Sequence, residues 1–411
     1  MPEFLHVITA GQLLERLGRF ARLSSESVPL DGSLHRILAE DVVAPEDLPE
    51  GARSTVDGYA VRAEDTFGAS DSIPALLEVV AAVAMGTMPD FVISIGQAAQ
   101  IPTGGFLPQG TDAVVMVEYT NPVSVNSIEV TRPVTVRTNV LERGEDTRCG
   151  KPLVLAGQAL RPQEVGLLAA LGITEVRVSR QPRVAVISSG DEVVPIDRKP
   201  KAGQIRDANA HAISALVRAS GAEPISFDIV PDDAGKLREA LENGLAQADI
   251  VAFSGGSSVG ARDLMIDVVA SLPGVEVLAH GVAIRPGKPT LLASQKGKAI
   301  FGLPGHPVSA LIVAQAFLAP FLKYLQGGSL EKGPLGPRIG AVLATSISST
   351  IGLEEFVRVR LENTIDGGYS AHPIFGKSGM LSTMVEANGI VVIPMHAEGL
   401  AKGEIVEAIR L

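Results

Sequence analysis

A chain of 411 residues with 46% hydrophobic and 20% charged residues is long enough for about three domains and apolar enough to bury their cores, which excludes wholesale disorder. The net charge of −11, with no run of Lys or Arg, argues against nucleic acid as a partner. A single cysteine, Cys149, excludes an intramolecular disulfide and a thiolate metal cluster, in keeping with a reducing cytoplasm.

The N-terminal stretch has the spacing of an amphipathic helix rather than a signal peptide. Thr9 is placed to cap a helix carrying Leu13, Leu14, Leu17 and Phe20, and Leu34 to Ala39 begins a second, shorter helical segment, so that residues 1–44 read as mostly helical. Pro45 and Pro49 mark a change. From 45 to 141 the chain reads as strands and turns, with strands expected over Ala75 to Val83, Phe91 to Ile95, Ala113 to Val117 and Ser127 to Thr131. Residues 142–182 return to short strands and one helix, Pro162 to Leu171, stopped by Gly172.

Strand and helix alternate from 183 to 327. Strands are predicted over Val184 to Ser188, Ile225 to Val230 and Ile250 to Ser254, with helices over Asn209 to Ser220 and Ala234 to Ala246, an order that implies a parallel sheet with right-handed crossovers. The most membrane-like run, Val308 to Leu325, is interrupted by Gln315, Pro320 and Lys323 and reads as a buried helix, so no membrane is expected. Gly327 to Pro337 resembles a linker, and the remainder reads as a small β domain.

Three Gly-rich turns follow apolar strand-like runs: Ser188 to Glu192, Ser254 to Gly260, and Gly302 to Pro307. A fourth, Arg285 to Pro289, precedes one. Loops of this kind at the carboxyl ends of parallel strands are where α/β sheets bind ligands, because glycine lets backbone N–H groups approach an anion and serine adds donors. Asp263 stands where a helix is expected to begin. Acidic residues recur beside the turns, at Asp57, Asp146, Asp191, Glu192, Asp232 and Asp263, and carboxylates are the protein ligands Mg²⁺ prefers. Each one singly is also an ordinary turn residue or helix cap. Arg285 and Lys288 either hold an oxyanion or are solvated loop cations, and His306 is the histidine best placed to face a pocket. These residues by themselves indicate an α/β domain that binds a phosphorylated ligand, with Mg²⁺, between β-rich domains.

Across nearly its whole length the sequence resembles the molybdopterin molybdenumtransferase family (MoeA and the gephyrin E domain). The matching stretches are Ser54 to Ala60, Pro102 to Gly105 running on to Gly110 to Val115, Arg143 to Asp146, Ser188 to Glu192, Gln204 to Asn209, Ser254 to Asp263, Pro286 to Pro289 and Leu303 to Pro307. The resemblance implies four parts. An elongated, discontinuous N-terminal domain takes 1–44 and 142–182, and a β-rich inserted domain takes 45–141. A molybdopterin-binding α/β domain with a parallel-rich sheet takes 183–327, and a C-terminal β-barrel-like domain takes 334–411.

It further implies a cytoplasmic, Mg²⁺-dependent homodimer with its site in a cleft that includes a partner surface. There molybdate would be inserted into adenylylated molybdopterin, AMP released and molybdenum cofactor formed; an adenylyltransferase would act upstream. Asp57, Asp146, Glu192, Asp263 and Thr103 match catalytic positions, with Asp57, Glu192 and Asp263 as the metal ligands. Ser254, Gly255, Gly256, Ser257, Ser258, Gly260, Lys288, Arg285, Pro304, Gly305 and His306 match the pterin and phosphate site, and Arg358 and Ser378 match oxyanion binders. The sequence departs from the family at Ser257, His306 (often Asn), Arg285 (often Lys) and Gly105 (often Ala). Tungstate insertion and a non-catalytic, gephyrin-like scaffold are the alternatives.

Overall fold

The computed structural model describes residues 7–255, 259–330 and 333–411, with backbone alone described over 259–263. The chain forms two compact units. The first holds Met1–Ala39, Gly157–Arg161 and Glu175–Leu411, and the second holds Glu40–Ala156 and Pro162–Thr174.

The first unit is built on a six-stranded sheet in the order Glu223–Ser226, Arg183–Ser189, Ile250–Gly255, Lys298–Leu303, Leu291–Gln295, Val275–His280. The first four strands are parallel and the last two antiparallel to their neighbours. The central strands are apolar at every position because both faces are covered. Val184, Val186, Ile250 and Ala252 pack into one core with Ile213 and Val217 of the helix Ala208–Ala219. Ala185, Ile187, Val251 and Phe253 pack into a second core with Leu237, Leu241 and Leu245 of the helix Ala234–Gln247. The period-2 alternation of side chains across a strand assigns neighbours to opposite cores.

The apolar run 307–325 is a helix of this first core, 78% buried, with a π turn over Ala314–Leu318. At the N-terminus Thr9 caps Ala10–Leu17 as expected. Its hydroxyl accepts from the Gln12 N–H at 3.2 Å while the Gln12 side chain accepts from the Thr9 N–H at 2.9 Å.

Within the same unit the strands Arg338–Leu343, Glu354–Asn363, Tyr369–Pro373, Gly389–Ile393 and Ile405–Arg410 close into a five-membered ring. Glu354–Asn363 pairs with both Tyr369–Pro373 and Gly389–Ile393, Gly389–Ile393 with Ile405–Arg410, and Ile405–Arg410 with Arg338–Leu343, which returns to Tyr369–Pro373. Closure leaves no exposed edge and buries Val357, Val359, Leu361, Val391 and Ile393. The short strand Ile284–Arg285 pairs with Glu354–Glu355 and joins this barrel to the α/β portion.

The second unit is a six-stranded, mostly antiparallel sheet ordered Ala113–Met116, Gly58–Val61, Gln97–Ile101, Ala75–Ala82, Ser127–Val130, Thr120–Ser124. It also holds the helix Pro162–Ala170. Gly58 permits the close pairing at its centre, since a Cβ there would lie 1.9 Å from the Val115 carbonyl oxygen.

Three local expectations are corrected. Leu34 to Ala39 is not helical: Ile37 and Leu38 make β-bridges to Ala159 and Val178, and β pairing in the tertiary structure outweighs a helical spacing only six residues long. Residues 1–44 accordingly contain one α-helix among those described and a strand, Ser25–Pro29, paired with Glu175–Ser179. Phe91 to Ile95 supplies one bridge, Val92 to Gln109, instead of a strand.

The entry to the central strand Ile250–Gly255 is pinned by Asp249. Its carboxylate accepts both Nη atoms of Arg180, at 2.7 and 3.0 Å, and the Arg183 N–H at 2.8 Å. Burial alone would raise the Asp249 pKa, but the Arg180 and Arg183 donors outweigh it and hold the pKa below its ordinary value. A depressed carboxylate pKa contributes stability above the ordinary range, and that contribution is lost as pH falls through the lowered value. Arg180→Ala is therefore expected to cost roughly 1–2 kcal/mol near neutral pH, allowing for the pair's partial exposure, and to shift acid unfolding to higher pH. Urea denaturation across an acid-to-neutral series checks this: the gap between variant and parent should narrow at the acid end.

Candidate functional site

Parallel pairing sets Ser188 opposite Ser254 and Ser189 opposite Gly255. The strand before leads left in the sheet, to Glu223–Ser226, and the strand after leads right, so these carboxyl ends form the topological switch point where open α/β sheets bind ligands. The strands approach closely there: a Cβ on Gly255 would lie 1.8 Å from the Ser189 hydroxyl oxygen. A cavity of about 530 Å³ opens at this point, lined among others by Ser188, Ser254, Glu192, Arg206, Asn209 and His306.

Ser188 and Ser254 are only 4% and 2% exposed, and neither hydroxyl has a hydrogen-bond partner among the described residues. An unsatisfied buried hydroxyl costs about 1–3 kcal/mol, so two of them lining one cavity mark a place where a ligand's polar atoms belong. By the pleat, both lie on the face covered by Ala208–Ala219 and residues 307–325.

The wall of the cavity is held by Asn209, whose amide donates to the Gly305 carbonyl at 2.9 Å. His306 follows, and its Nδ1 lies 3.2 Å from Ser378 Oγ; the Val308 N–H donates to the Ser378 carbonyl at 3.0 Å. The segment around Ser378, with Gly379 and Leu381 in the cavity wall, thereby closes one side. Arg358 donates to the Gly376 carbonyl at 3.1 Å, its Nε is buried without a partner, and burial pushes its pKa down.

On the other flank, the Asp232 N–H donates to Asp191 at 3.3 Å, and the Asp232 carboxyl is pushed up in pKa by burial, then by the nearby charges of Asp191 and Glu192. A second cavity of about 740 Å³ shares Val193 and Asp207 with the first and is lined also by Arg198, His211, Arg218 and Phe227.

The other sequence-predicted residues fall as follows. Gly256, Ser257 and Ser258 lie outside the described residues. Gly260 and Asp263 lie on the helix Val259–Ala270, so the helix begins four residues before Asp263 rather than at it; its side chain is outside the description. Arg285 is not a free loop cation, because the pairing of Ile284–Arg285 with Glu354–Glu355 sets its guanidinium 3.8 Å from the Glu355 carboxylate. Lys288 is exposed on the following turn, and Pro304 is buried behind Gly305.

Asp57, Thr103 and Asp146 belong to the second unit. Asp57 Oδ1 accepts the Thr103 N–H at 2.7 Å and its hydroxyl at 2.9 Å, and these two donors hold the Asp57 pKa below its ordinary value. Asp146 lines a separate cavity of about 460 Å³ with Arg53, whose guanidinium stacks 4.1 Å over Phe106. Among the described residues no three His, Cys, Asp or Glu side chains converge as a ready-made metal cage. Sequence reasoning did not single out the Ser188 hydroxyl, Arg206 or the Asn209 clamp; the signal available was two serines closing an apolar strand and the run Gln204 to Asn209.

Three family models match the chain: the MoeA N-terminal region (domain I and II) over residues 7–172, a probable molybdopterin binding domain over 185–324, and the MoeA C-terminal region (domain IV) over 340–411. The chain is 36% identical over 399 residues to a molybdopterin molybdenumtransferase from Nostoc sp., covering 94% of this chain and 89% of that one. It is 32% identical over 383 residues to the Staphylococcus aureus protein of the same name, covering 93% and 90%. A solved structure of the molybdopterin biosynthesis MoeA protein from Pyrococcus horikoshii superposes with a TM-score of 0.85 at 32% identity, covering 98% of this chain and 100% of that one.

Because the two orphaned hydroxyls cost stability, Ser188→Ala and Ser254→Ala are each expected to leave the ligand-free protein as stable or up to about 1 kcal/mol more stable. Thermal denaturation checks this, and a clear fall in melting temperature in either variant would contradict it.

Proposed function

The chain belongs to the MoeA family of molybdopterin molybdenumtransferases, and from that membership we propose that it inserts molybdate into adenylylated molybdopterin, releasing AMP and giving molybdenum cofactor. The observation that carries this is the pair of buried, partnerless hydroxyls of Ser188 and Ser254 in the wall of the switch-point cavity. Both reactants are anions, so the protein must supply donors and align them while a phosphoanhydride is broken and the dithiolene sulfurs take the metal.

We assign the pterin and its phosphate to the Ser188/Ser254 cavity and the adenylyl half to the adjoining cavity lined by Arg198, His211 and Arg218. Arg358 and Ser378 are assigned to the oxyanion. Lys288 and the turn that holds Gly256, Ser257 and Ser258 stay within this proposal as phosphate contacts.

Mg²⁺ takes one or two carboxylates and completes its shell with phosphate oxygens. The Asp191, Glu192 and Asp232 group fits that demand: its mutual repulsion, expressed in the raised Asp232 pKa, is relieved by a hard cation. These three residues would hold the ion, and bound there it would neutralise phosphate charge. Asp57 is kept ionised by Thr103 and is assigned, with Asp146 and Asp263, to the catalytic set. The four-domain division and a homodimer complete the proposal.

The test is release of AMP from the purified protein loaded with adenylylated molybdopterin. Release is expected to require both molybdate and Mg²⁺ and to stop when the divalent ion is chelated. Asp57→Asn is expected to slow it by about 10²-fold or more with an unchanged melting temperature. Tight pterin binding without release under molybdate would overturn the transferase assignment, and faster release with tungstate would reassign the metal. Sedimentation equilibrium is expected to give two chains per particle.

A further inference from the structure

One contact beside the cavity is not required by the proposed reaction. His306 precedes the helix Pro307–Val313 as its N-cap residue, yet its side chain makes no capping bond. The ring reaches Ser378 instead, Nδ1 to Oγ at 3.2 Å. Both partners are held through their backbones. The Gly305 carbonyl next to His306 is bonded by Asn209, and the Ser378 carbonyl accepts from the Val308 N–H. With the heavy atoms fixed, what remains variable is the direction of the proton between them.

That direction decides what Ser378 offers an anion. A hydroxyl has one proton to donate. When Nδ1 carries no proton it accepts from Ser378, the hydroxyl proton is committed to the ring, and the oxygen presents lone pairs to its surroundings. When the imidazole is doubly protonated, Nδ1–H donates to Oγ, the Ser378 O–H is released to point at an anion, and a positive charge is added beside it. Resting on the assignment of this cavity to an anionic substrate, we propose that His306 is a positioning residue that sets whether Ser378 donates to the oxyanion, so that oxyanion binding weakens as pH rises through neutrality.

The charged groups around this pair are Glu192, Arg206 and Asp207 across the cavity, and Lys377 and Arg358 on the side of Ser378. Asp207 is committed to the Ala210 N–H that it caps, and Arg206 to the Ile196 carbonyl. Carboxylates, guanidinium groups and ammonium groups hold their charge between about pH 6 and pH 8, whereas an imidazole is the side chain that changes there. The sign follows by linkage: an anion that prefers the imidazolium form is bound best below the imidazole's titration and less well above it.

The test is isothermal titration of the full chain with sodium molybdate at about pH 6, 7 and 8, with melting temperatures as the folding control. The parent is expected to bind about five- to tenfold more weakly at the highest pH than at the lowest. His306→Asn, whose amide is a donor at every pH, is expected to keep binding and lose the slope. Ser378→Ala is expected to bind more weakly throughout and also to lose it.

A flat profile in the parent would mean that Nδ1 holds its proton at all these pH values, and would overturn the proposal. A slope that survives in Ser378→Ala would mean the ring meets the anion directly, and would overturn the relay. Absence of molybdate binding by the parent at every pH would instead bring down the assignment of the cavity to an anion, and the relay with it. Equal binding by parent and His306→Asn at all three pH values would leave that assignment standing and remove only the relay.

Discussion

The parallel register of Arg183–Ser189 against Ile250–Gly255 is the constraint on which the site depends. It sets Ser188 beside Ser254 at the end of two strands that are otherwise apolar and buried on both faces. The close approach at Gly255 carries the pairing to the last residue of each strand, where any side chain at that position would strike Ser189. The result is two hydroxyls that neither protein nor solvent satisfies, at a point where the fold diverges and leaves a cavity. A fold optimised only for stability would put alanine or valine there, so the serines are best understood as donors kept for a ligand.

A second set of contacts brings the C-terminal barrel to the same place. The Ile284–Arg285 strand adds to the barrel beside Glu354–Glu355, the Arg285 and Glu355 side chains face each other, and the start of the 307–325 helix holds the Ser378 segment through Val308 and His306. These links explain why Arg285, which in sequence looks like an available cation, is partly neutralised. They also explain why Ser378 and Gly379, more than seventy residues beyond His306, contribute to one wall. The anion-binding potential of the cavity then comes from donors and from Arg206 and Arg358 in a chain that is acidic overall.

The carboxylates divide by environment. Asp57 is held ionised by two donors from Thr103, Asp249 is tied to Arg180 at the entry to a strand, and Asp232 is crowded by Asp191 and Glu192. Identical side chains thus serve as a fixed charge, a structural anchor and a place that favours a cation, and only the partners distinguish them.

The α/β order, the capped N-terminal helix, the buried character of 307–325 and the Gly-rich strand ends were legible in the sequence, because each is written in local periodicity, caps or turn residues that act over a few neighbours. The family was legible too, since its motifs recur in order along the whole chain. Leu34 to Ala39 misled because a segment of six residues carries too little periodicity to resist β-bridges made by residues 120 or more positions away. The tertiary structure alone decided that Ser188 and Ser254 stand side by side without partners, that Arg285 meets Glu355 and that His306 meets Ser378. Each of these depends on strand register and on contacts between distant segments, and hydrogen-bond satisfaction is a property of three-dimensional neighbours that no local pattern of residues encodes.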